Sequence, residues 1–501
     1  MKEASRNSFY QCADSFKFVL VSVICFCFVA HGASIFGFNF SHDSLMIFAT
    51  DQNWQISLGR IFQPYYLKIR GELNSPLLIW SISIINFSLS VFFLSRVFEI
   101  KNRIAVVLLS GLVVTSYPFT LIAATYINWL DIFSLALLFS VFSVFMFYRG
   151  RLFTSVLSIV ASLGLYQAFF QVVVLLFCLM LLQRISLGRV TVKELFVEII
   201  KIGIVFGLSA LCYWLSVKLM LVYHKISMAN SYNGLAQMGF SGMGDMLKNV
   251  VLTYEHTFSK LCQPQTYFFR FSRRVTVFLL VLFSIMAFFK TYKRNASKWL
   301  LVFVLLIIAF IPFGMNLNYF LSKGMEHHLM MFSFVLILVA SLIYYDDFSK
   351  FCIFKISGGH VVFVIFSVLL FSNIVFSNHV YQKKELEDKA TLSAITRVLD
   401  RIESIPSYKP GVTPVVFIGE IANSAVTKYR AGFDRLYDST GLGGKLSPTY
   451  NIYLYIDQLL GYPIKKGNAN AIPKEEIEKL GVFPAQNSCS LIKGNVVVRF
   501  Q

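Results

Sequence analysis

The chain alternates between long apolar runs and short polar segments. A membrane-spanning helix needs about 20 apolar residues, and nine runs are candidates. They are Phe16–Phe36, Ser75–Ser95, Ile104–Thr125, Trp129–Tyr148, Ile200–Val222, Val275–Phe289, Trp299–Met315, His327–Tyr345 and Val361–Phe376. Because the backbone of a membrane-spanning segment must satisfy its own hydrogen bonds, we predict that each of these runs is an α-helix.

A further apolar run, residues 152–183, is too long for one comfortable span. Basic residues flank it on both sides, at Arg149 and Arg151 before it and at Arg184 and Arg189 after it. Because basic residues favour the cytoplasmic side, a single crossing would leave one flank on the wrong side. We therefore predict two short helices that turn near residues 164–167. The resulting eleven spans place the N-terminus in the cytoplasm and the C-terminus outside.

Composition and charge exclude several protein classes. Hydrophobic residues make up 56% of the 501 residues and charged residues only 14%, against about 25% charged residues in soluble domains. So little charge cannot cover a water-exposed surface, which excludes a soluble enzyme and a disordered chain. The net charge is +19, but the basic residues before residue 381 lie mostly in short gaps between apolar runs. This pattern sets orientation among membrane lipids and argues against a nucleic-acid partner.

The pattern predicts two domains. Residues 1–380 form a polytopic α-helical membrane domain with two long outer loops, residues 37–74 and 223–274. Long loops of ordered composition are more often functional than idle. Residues 381–501 have a soluble composition and are expected to form a small α/β domain on the outer, periplasmic face. Within it we predict a charged helix over residues 383–405 and strands over residues 413–419 and 495–500.

Cysteine and glycine patterns give no sign of a cofactor. No paired cysteines or His/Cys cluster have the spacing of metal ligands, and no Gly-rich nucleotide-binding loop occurs. We therefore expect neither a cofactor nor a metal ion. Cys262 and Cys489 both lie in predicted outer segments, where a disulfide between them is possible.

Acidic residues are rare in the membrane domain, so their positions are informative. Asp43 follows the first predicted span, and Asp131 begins the fourth at the apolar boundary. Ionisable groups at that depth are usually functional, although an Asp at a helix N-terminus also stabilises the helix. Glu326, beside His327 at the outer end of the tenth span, is a further candidate for acid/base chemistry. We predict that Asp43 is the catalytic base, with Asp131 and Glu326 as alternatives.

Basic residues on the outer side oppose the orientation rule and need a separate explanation. Arg60 lies in a predicted interfacial helix that Trp54 anchors, and Arg270, Arg273 and Arg274 cluster where the eighth span begins. A guanidinium matches the geometry of a phosphate with two parallel hydrogen bonds. We predict that these arginines bind the phosphate of a polyprenyl phosphate or a sugar phosphate, which would be the donor phosphate of a transferase. Contact with anionic lipid headgroups is the alternative.

The order of the motifs resembles the phage-type serotype-converting O-antigen glucosyltransferases. The resemblance rests on His42-Asp43, Trp54, Leu58-Gly59-Arg60, Ser75-Pro76, the turn Leu165-Tyr166-Gln167, and Val415-Val416-Phe417-Ile418-Gly419. His42 stands where that family often carries the first of two acids. The resemblance implies a GT-C membrane fold, a polyprenyl-phosphate-glucose donor and an O-antigen oligosaccharide acceptor. We expect His42, Trp54, Tyr166, Gln167 and His327 to support the site.

These observations favour a glycosyltransferase of the bacterial inner membrane with its site on the periplasmic side. Nucleotide sugars are absent there, so the donor must be lipid-linked. An O-antigen polymerase and a flippase for lipid-linked sugars are the alternatives. A flippase would need charged residues within the bundle on both sides, whereas the candidate acids gather at one face.

The eleven-span topology can be tested with a reporter that is active only outside the cytoplasm. A fusion after residue 381 should be active, because an odd number of spans precedes it. A fusion after residue 190, in a predicted cytoplasmic segment, should be inactive. Cytoplasmic placement of residue 381 would overturn the topology and move every candidate residue to the wrong compartment.

Overall fold

The structure is a computed structural model that describes residues 2–37, 41, 45, 52–72, 74–230, 242–262, 270–294, 297–324, 327–353, 355–421 and 450–500. Its α-helices are α1 (Lys2–Phe36), α2 (Gln52–Ser57), α3 (Gln63–Arg70), α4 (Pro76–Val97), α5 (Arg103–Val114), α6 (Tyr117–Thr125), α7 (Leu130–Tyr148), α8 (Leu152–Leu165), α9 (Phe170–Ser186), α10 (Val192–His224), α11 (Met243–Cys262), α12 (Arg270–Lys293), α13 (Lys298–Met315), α14 (Leu317–Leu321), α15 (Val335–Ile343), α16 (Tyr345–Phe348), α17 (Gly358–Glu403), α18 (Tyr450–Leu454) and α19 (Lys474–Lys479). Its strands are β1 (Cys352–Ile353), β2 (Ile356–Ser357), β3 (Pro414–Ile418), β4 (Lys465–Lys466), β5 (Cys489–Ile492) and β6 (Asn495–Arg499).

Among the described residues, eight helical segments are long and apolar enough to cross a membrane. They are Ala13–Phe36, Pro76–Val97, Arg103–Thr125, Ile127–Tyr148, Gln167–Ser186, Val192–His224, Lys298–Met315 and Gly358–Glu403. Shorter apolar helices cover Leu152–Leu165 and Leu329–Ile343, and α12 contains the predicted span at residues 275–289. Every predicted span therefore coincides with helix. The number of crossings, eleven, stays a prediction.

The apolar run of residues 152–183 divides as predicted. Helix α8 ends at Leu165, Tyr166 has an extended backbone, and a short 3₁₀ turn at Gln167–Phe169 leads into α9. A similar break at Tyr126 separates α6 from the turn Ile127–Trp129 that leads into α7. The chain therefore reverses direction twice at the same end of the bundle.

Small and polar side chains join several helices inside the hydrophobic core of the bundle. Helix α7 packs against both α4 and α8, and α1 packs against α4, α5 and α17. The Ser140 and Ser162 hydroxyls lie 2.8 Å apart, and the Asn86 amide donates to Ser134 at 3.0 Å. Small side chains let helices approach closely, and polar pairs join them where water is absent.

The segments predicted to be cytoplasmic meet at one end of the bundle. Arg189 binds both carboxylate oxygens of Glu99, at 2.5 and 2.9 Å, and the Tyr148 hydroxyl donates to the same carboxylate. The Arg189 hydrogen bonds lower the pKa of Glu99 below its ordinary value. At the same end Lys290 forms an ion pair with Asp347. These contacts join segments that are far apart in sequence, and the side of the membrane on which they lie stays a prediction.

The C-terminal region contains a four-stranded sheet in the order β4-β3-β6-β5. Strand β3 is parallel to β4 and β6, with Val415 opposite Val496, and β5 is antiparallel to β6. The predicted strands at residues 413–419 and 495–500 are confirmed as β3 and β6. Cys489, in β5, carries a free thiol, so the possible disulfide with Cys262 is not formed; the side chain of Cys262 lies outside the described residues.

The stretches predicted as helices, residues 361–376 and 383–405, are both helical, but they belong to a single helix. Helix α17 runs without interruption from Gly358 to Glu403, a length of about 69 Å. Its interior from residue 360 to residue 403 contains neither Gly nor Pro, so nothing ends the helix where the apolar stretch gives way to charged residues. Val380, Tyr381 and Lys384 are buried at that point. The membrane domain and the C-terminal sheet are therefore joined by one helix.

Candidate functional site

The first outer loop is docked on the break between α8 and α9. The Phe62 amide donates to the Gly164 carbonyl at 2.9 Å, and the Gln63 side chain donates to the Leu165 carbonyl at 2.6 Å. In return, the Gln167 amide donates to the Leu58 carbonyl at 2.8 Å. The Leu58-Gly59-Arg60 motif and the Leu165-Tyr166-Gln167 turn, about a hundred residues apart in sequence, therefore form one structure.

Arg60 is the charged group at this junction. Its side chain is half-buried, with Cζ 5.0 Å from the centre of the Tyr166 ring and one terminal nitrogen donating to Gln55 at 3.1 Å. Within the described part of the chain its Nε is buried without a hydrogen-bond partner, and no carboxylate forms an ion pair with it. A buried guanidinium nitrogen without a partner is unfavourable. Among the described residues, Arg60 therefore has one buried donor that no acceptor satisfies.

Gln167 secures the backbone beside Arg60. Its amide nitrogen also lies 2.9 Å from the Tyr213 hydroxyl, and that hydroxyl donates to the Gly59 carbonyl at 2.9 Å. Residues on two helical segments, the turn Gln167–Phe169 and α10, thus fix the backbone on the N-terminal side of Arg60. Tyr166 supports the guanidinium through its ring face, a geometry that attracts cations.

Asp131 is held in a buried ion pair that the sequence analysis missed. Arg70 lies 3.1 Å from Oδ1, and the two side chains are only 1% and 0% exposed. The Tyr66 hydroxyl donates to Oδ2 at 2.8 Å, and Arg70 also donates to the Asn128 carbonyl at 3.0 Å. Burial and the Asp131 charge raise the pKa of the Tyr66 phenol, which keeps it a donor. The available signal was Arg70 itself, a basic residue on the disfavoured side.

The segment around the predicted catalytic base is anchored on both sides. His42 and Asp43 lie outside the described residues. Ser41, just before them, donates from its hydroxyl to the Thr125 carbonyl, at the break between α6 and α7. Leu45, just after them, is fully buried in the hydrophobic cluster of the C-terminal domain, which includes Val415. The loop therefore contacts the membrane domain and the C-terminal domain within five residues.

His327 lies beside the same break. It caps the 3₁₀ helix His328–Phe334, accepting the Leu329 amide at 3.5 Å, and its ring packs edge-on against Tyr126 at 5.9 Å. Because Tyr126 directly follows Thr125, His327 and the anchor of Ser41 belong to one region. Glu326 lies outside the described residues.

The remaining predicted residues are Trp54 and the three arginines at the start of α12. Trp54 is on α2 and is 39% exposed. Arg270, Arg273 and Arg274 begin α12, and their side chains lie outside the described residues. The structure therefore brings together Arg60, Tyr166 and Gln167 among the predicted site residues, and it holds Asp131 in a separate buried cluster.

A polar cluster between α11 and the start of α14 did not stand out in the sequence. The His256 ring stacks on Tyr319 at 4.1 Å, and its Nδ1 lies 2.9 Å from the Asn316 amide. Burial, with the nearby charge of Lys260, lowers the pKa of His256 to about 4. The imidazole is therefore neutral at physiological pH. Among the residues described, no group of three or more His, Cys, Asp or Glu side chains could hold a metal ion.

Comparison with protein families identifies the membrane domain. The family model of glucosyl transferase GtrII matches residues 32–340, more than half of the chain. The chain belongs to the GtrII family. It is therefore a glycosyltransferase, as the order of motifs implied. The match contains the docked loop, the Arg70–Asp131 pair and the turn at Tyr166, and it ends before the C-terminal sheet. No curated protein and no solved structure matches the chain.

Docking of the loop can be tested at Gly164, which leaves room for the Phe62 ring. A Cβ at Gly164 would lie 2.3 Å from Phe62 Cδ2. Gly164→Ala should lower the free energy of unfolding by about 1–3 kcal/mol, measured by thermal unfolding of the purified protein in detergent. Gly203→Ala is the matched control, since its Cβ would meet nothing within 4 Å and Ala favours a helix. Equal unfolding midpoints for the two variants would contradict the docking.

The role of Asp131 can be tested by removing one partner or both. Asp131→Asn leaves the Arg70 charge buried and should lower stability by about 3–5 kcal/mol. Glu385→Gln is the control, because its partner Lys389 and Glu385 itself are 69% and 61% exposed, and such pairs contribute about 0–1 kcal/mol.

Joint replacement as Arg70→Met and Asp131→Leu should restore most of the stability, since apolar pairs substitute well for buried ion pairs. A stable but inactive Asp131→Asn variant would instead assign Asp131 to the chemistry.

Proposed function

We propose that this GtrII glycosyltransferase transfers glucose from a polyprenyl-phosphate-glucose donor to the O-antigen repeat of lipopolysaccharide, with inversion. The proposal includes a GT-C membrane domain at residues 1–380 and a periplasmic domain at residues 381–501. It places the reaction on the periplasmic side of the bacterial inner membrane. The single observation that carries it is Arg60 in the docked loop, a half-buried guanidinium whose Nε has no hydrogen-bond partner in the part of the chain that the structure describes.

A lipid-linked donor matches this position. The polyprenyl chain stays in the bilayer, so its phosphate and sugar lie where the membrane helices end. Arg60 stands at that level, because its loop is bound to the helix break at Gly164 and Leu165. A guanidinium binds a phosphate with two parallel hydrogen bonds and stabilises the charge that grows on it as it leaves. Arg270, Arg273 and Arg274, at the start of α12, add positive charge for the same phosphate.

The base in this proposal is Asp43. Two steps of about 3.8 Å between Cα atoms keep it near Ser41, which is bound at Thr125. An Asp of ordinary pKa, about 3.9, is ionised at neutral pH and can accept a proton. The acceptor hydroxyl oxygen attacks C1 of glucose, the bond from C1 to the phosphate oxygen breaks with its electrons, and the hydroxyl proton passes to Asp43. His42 and His327 orient the loop, and Glu326 is the reserve candidate.

Asp131 does not suit the role of base. Its carboxylate is completely buried and accepts hydrogen bonds from Arg70 and Tyr66. A group so enclosed cannot reach an acceptor hydroxyl. We infer that Asp131 positions α3, and with it the loop that carries Arg60.

Lipopolysaccharide mass tests the proposed transfer. Expression of the wild-type chain in a strain with a suitable O-antigen should add one hexose to each repeat. Asp43→Asn should reduce the fraction of modified repeats about 10²–10⁴-fold, the usual contribution of a general base. Arg60→Gln should reduce it about 10²–10³-fold through lost charge stabilisation. The fraction of modified repeats in Arg60→Lys should lie between those of Arg60→Gln and the wild type, because lysine keeps the charge but loses the forked geometry.

Glu72→Gln is the matched control, since Glu72 is an exposed carboxylate of the same loop that accepts a hydrogen bond from Gln52. It should modify the repeats as the wild type does. A near wild-type rate in Asp43→Asn would remove Asp43 from the mechanism. A changed chain-length distribution without added hexose would identify a polymerase instead.

A further inference from the structure

A cavity of about 560 Å³ lies at the opposite end of the bundle from Arg60. It opens between the first helix and the turn that joins α4 to α5. Its volume falls within the range of small-ligand sites, about 300–1,000 Å³. The GtrII chemistry proposed above does not use this end of the molecule, so the cavity needs its own explanation.

Three cations surround the cavity. Arg96 ends α4, Lys101 lies in the turn and Arg103 begins α5. Arg96 lies over the Phe92 ring at 5.0 Å and Arg103 over the Phe18 ring at 5.7 Å. Stacking on a ring leaves the in-plane N–H groups of a guanidinium available. Within the described ranges, none of the three forms an ion pair with a carboxylate.

The two acids of the cavity do not cancel this charge. Glu99 is bound on both oxygens by Arg189 and also accepts from Tyr148, so its charge is compensated from outside the cavity. Asp14 lies 3.9 Å from Lys17, and both of these side chains are about three-quarters exposed. The lining therefore carries three cations against two carboxylates, and each carboxylate has a basic partner outside the lining, so the cavity favours an anion.

The wall of the cavity is apolar on the side of the membrane. Phe18, Val19 and Val106 line it below the cations. Next to them, Val21 and Ile104 are 60% and 45% exposed on the outer surface of the bundle. Within one turn of helix the surface changes from basic to apolar. This arrangement matches a ligand with an anionic head and a hydrocarbon tail.

We propose that this cavity binds the phosphate group of an anionic phospholipid from the adjacent leaflet, with an acyl chain along α1 and α5. Basic pockets between membrane helices on the cytoplasmic side are suited to anionic headgroups. Free inorganic phosphate shares the same recognition chemistry, but it would leave the apolar wall without a partner.

Native mass spectrometry of the purified full-length chain tests the proposal. The protein in a mild detergent is titrated with phosphatidylglycerol or with phosphatidylcholine, and the retained lipids are counted. The wild type should retain phosphatidylglycerol in preference to phosphatidylcholine. The triple variant Arg96→Gln, Lys101→Gln, Arg103→Gln should bind phosphatidylglycerol about tenfold more weakly or worse. Inorganic phosphate in millimolar excess should not displace the lipid.

The matched control removes three exposed cations elsewhere at the same end, as Arg149→Gln, Arg151→Gln and Lys193→Gln, and it should retain the lipid. Lys101→Glu, a single change in an exposed turn, provides a second variant if the triple variant unfolds, and it should also weaken binding.

Equal loss in the control, or equal retention of phosphatidylcholine, would overturn the site. Binding of inorganic phosphate without retention of phosphatidylglycerol would overturn the lipid assignment.

Discussion

The outer half of this molecule depends on the backbone carbonyls that are left open where α8 ends. A helix end in water is satisfied by solvent, but inside a membrane bundle each unpaired carbonyl is strongly unfavourable. Here the first outer loop supplies the missing donors, from the Phe62 amide and the Gln63 side chain. The same contacts fix where Arg60 can lie. A requirement of backbone hydrogen bonding thus determines the position of the Arg60 side chain.

The sequence predicted the parts of the molecule that depend on residues close together in the chain. Apolar runs of bilayer length located the helices, basic flanks divided the run at residues 152–183, and β-rich segments located β3 and β6. Continuity of α17 was also readable, because residues 360–403 lack Gly and Pro, yet the change from apolar to charged composition suggested a boundary. Composition indicates whether a helix lies in the membrane or in water, whereas helix-breaking residues such as Gly and Pro indicate where it ends.

Contacts between distant segments were harder to predict from the sequence. The meeting of Arg60 with Tyr166 follows from a hydrogen-bond requirement at Gly164, and no periodic pattern shows it. The partner of Asp131 could not be predicted either, since nothing in the spacing of Arg70 and Asp131 distinguishes a buried pair from two exposed charges. Asp131 was a candidate because ionisable residues at that depth are usually functional. Its hydrogen bonds show how such a residue can instead hold an outer loop in place.

Helix α17 joins the apolar membrane domain to the polar C-terminal domain. Because the helix is continuous, it fixes the rotation of one domain relative to the other about the helix axis. Each residue of an α-helix advances 1.5 Å and turns by about 100°. Inserting one residue between the buried stretch near Tyr381 and that near Ile395 would therefore swing the C-terminal sheet about 100° around the axis. Leu45 would then meet a different face of that domain. The number of residues in this part of α17 therefore determines which face of the C-terminal domain meets the outer loop. Relatives with the same geometry should differ in this length only by close to whole helical turns.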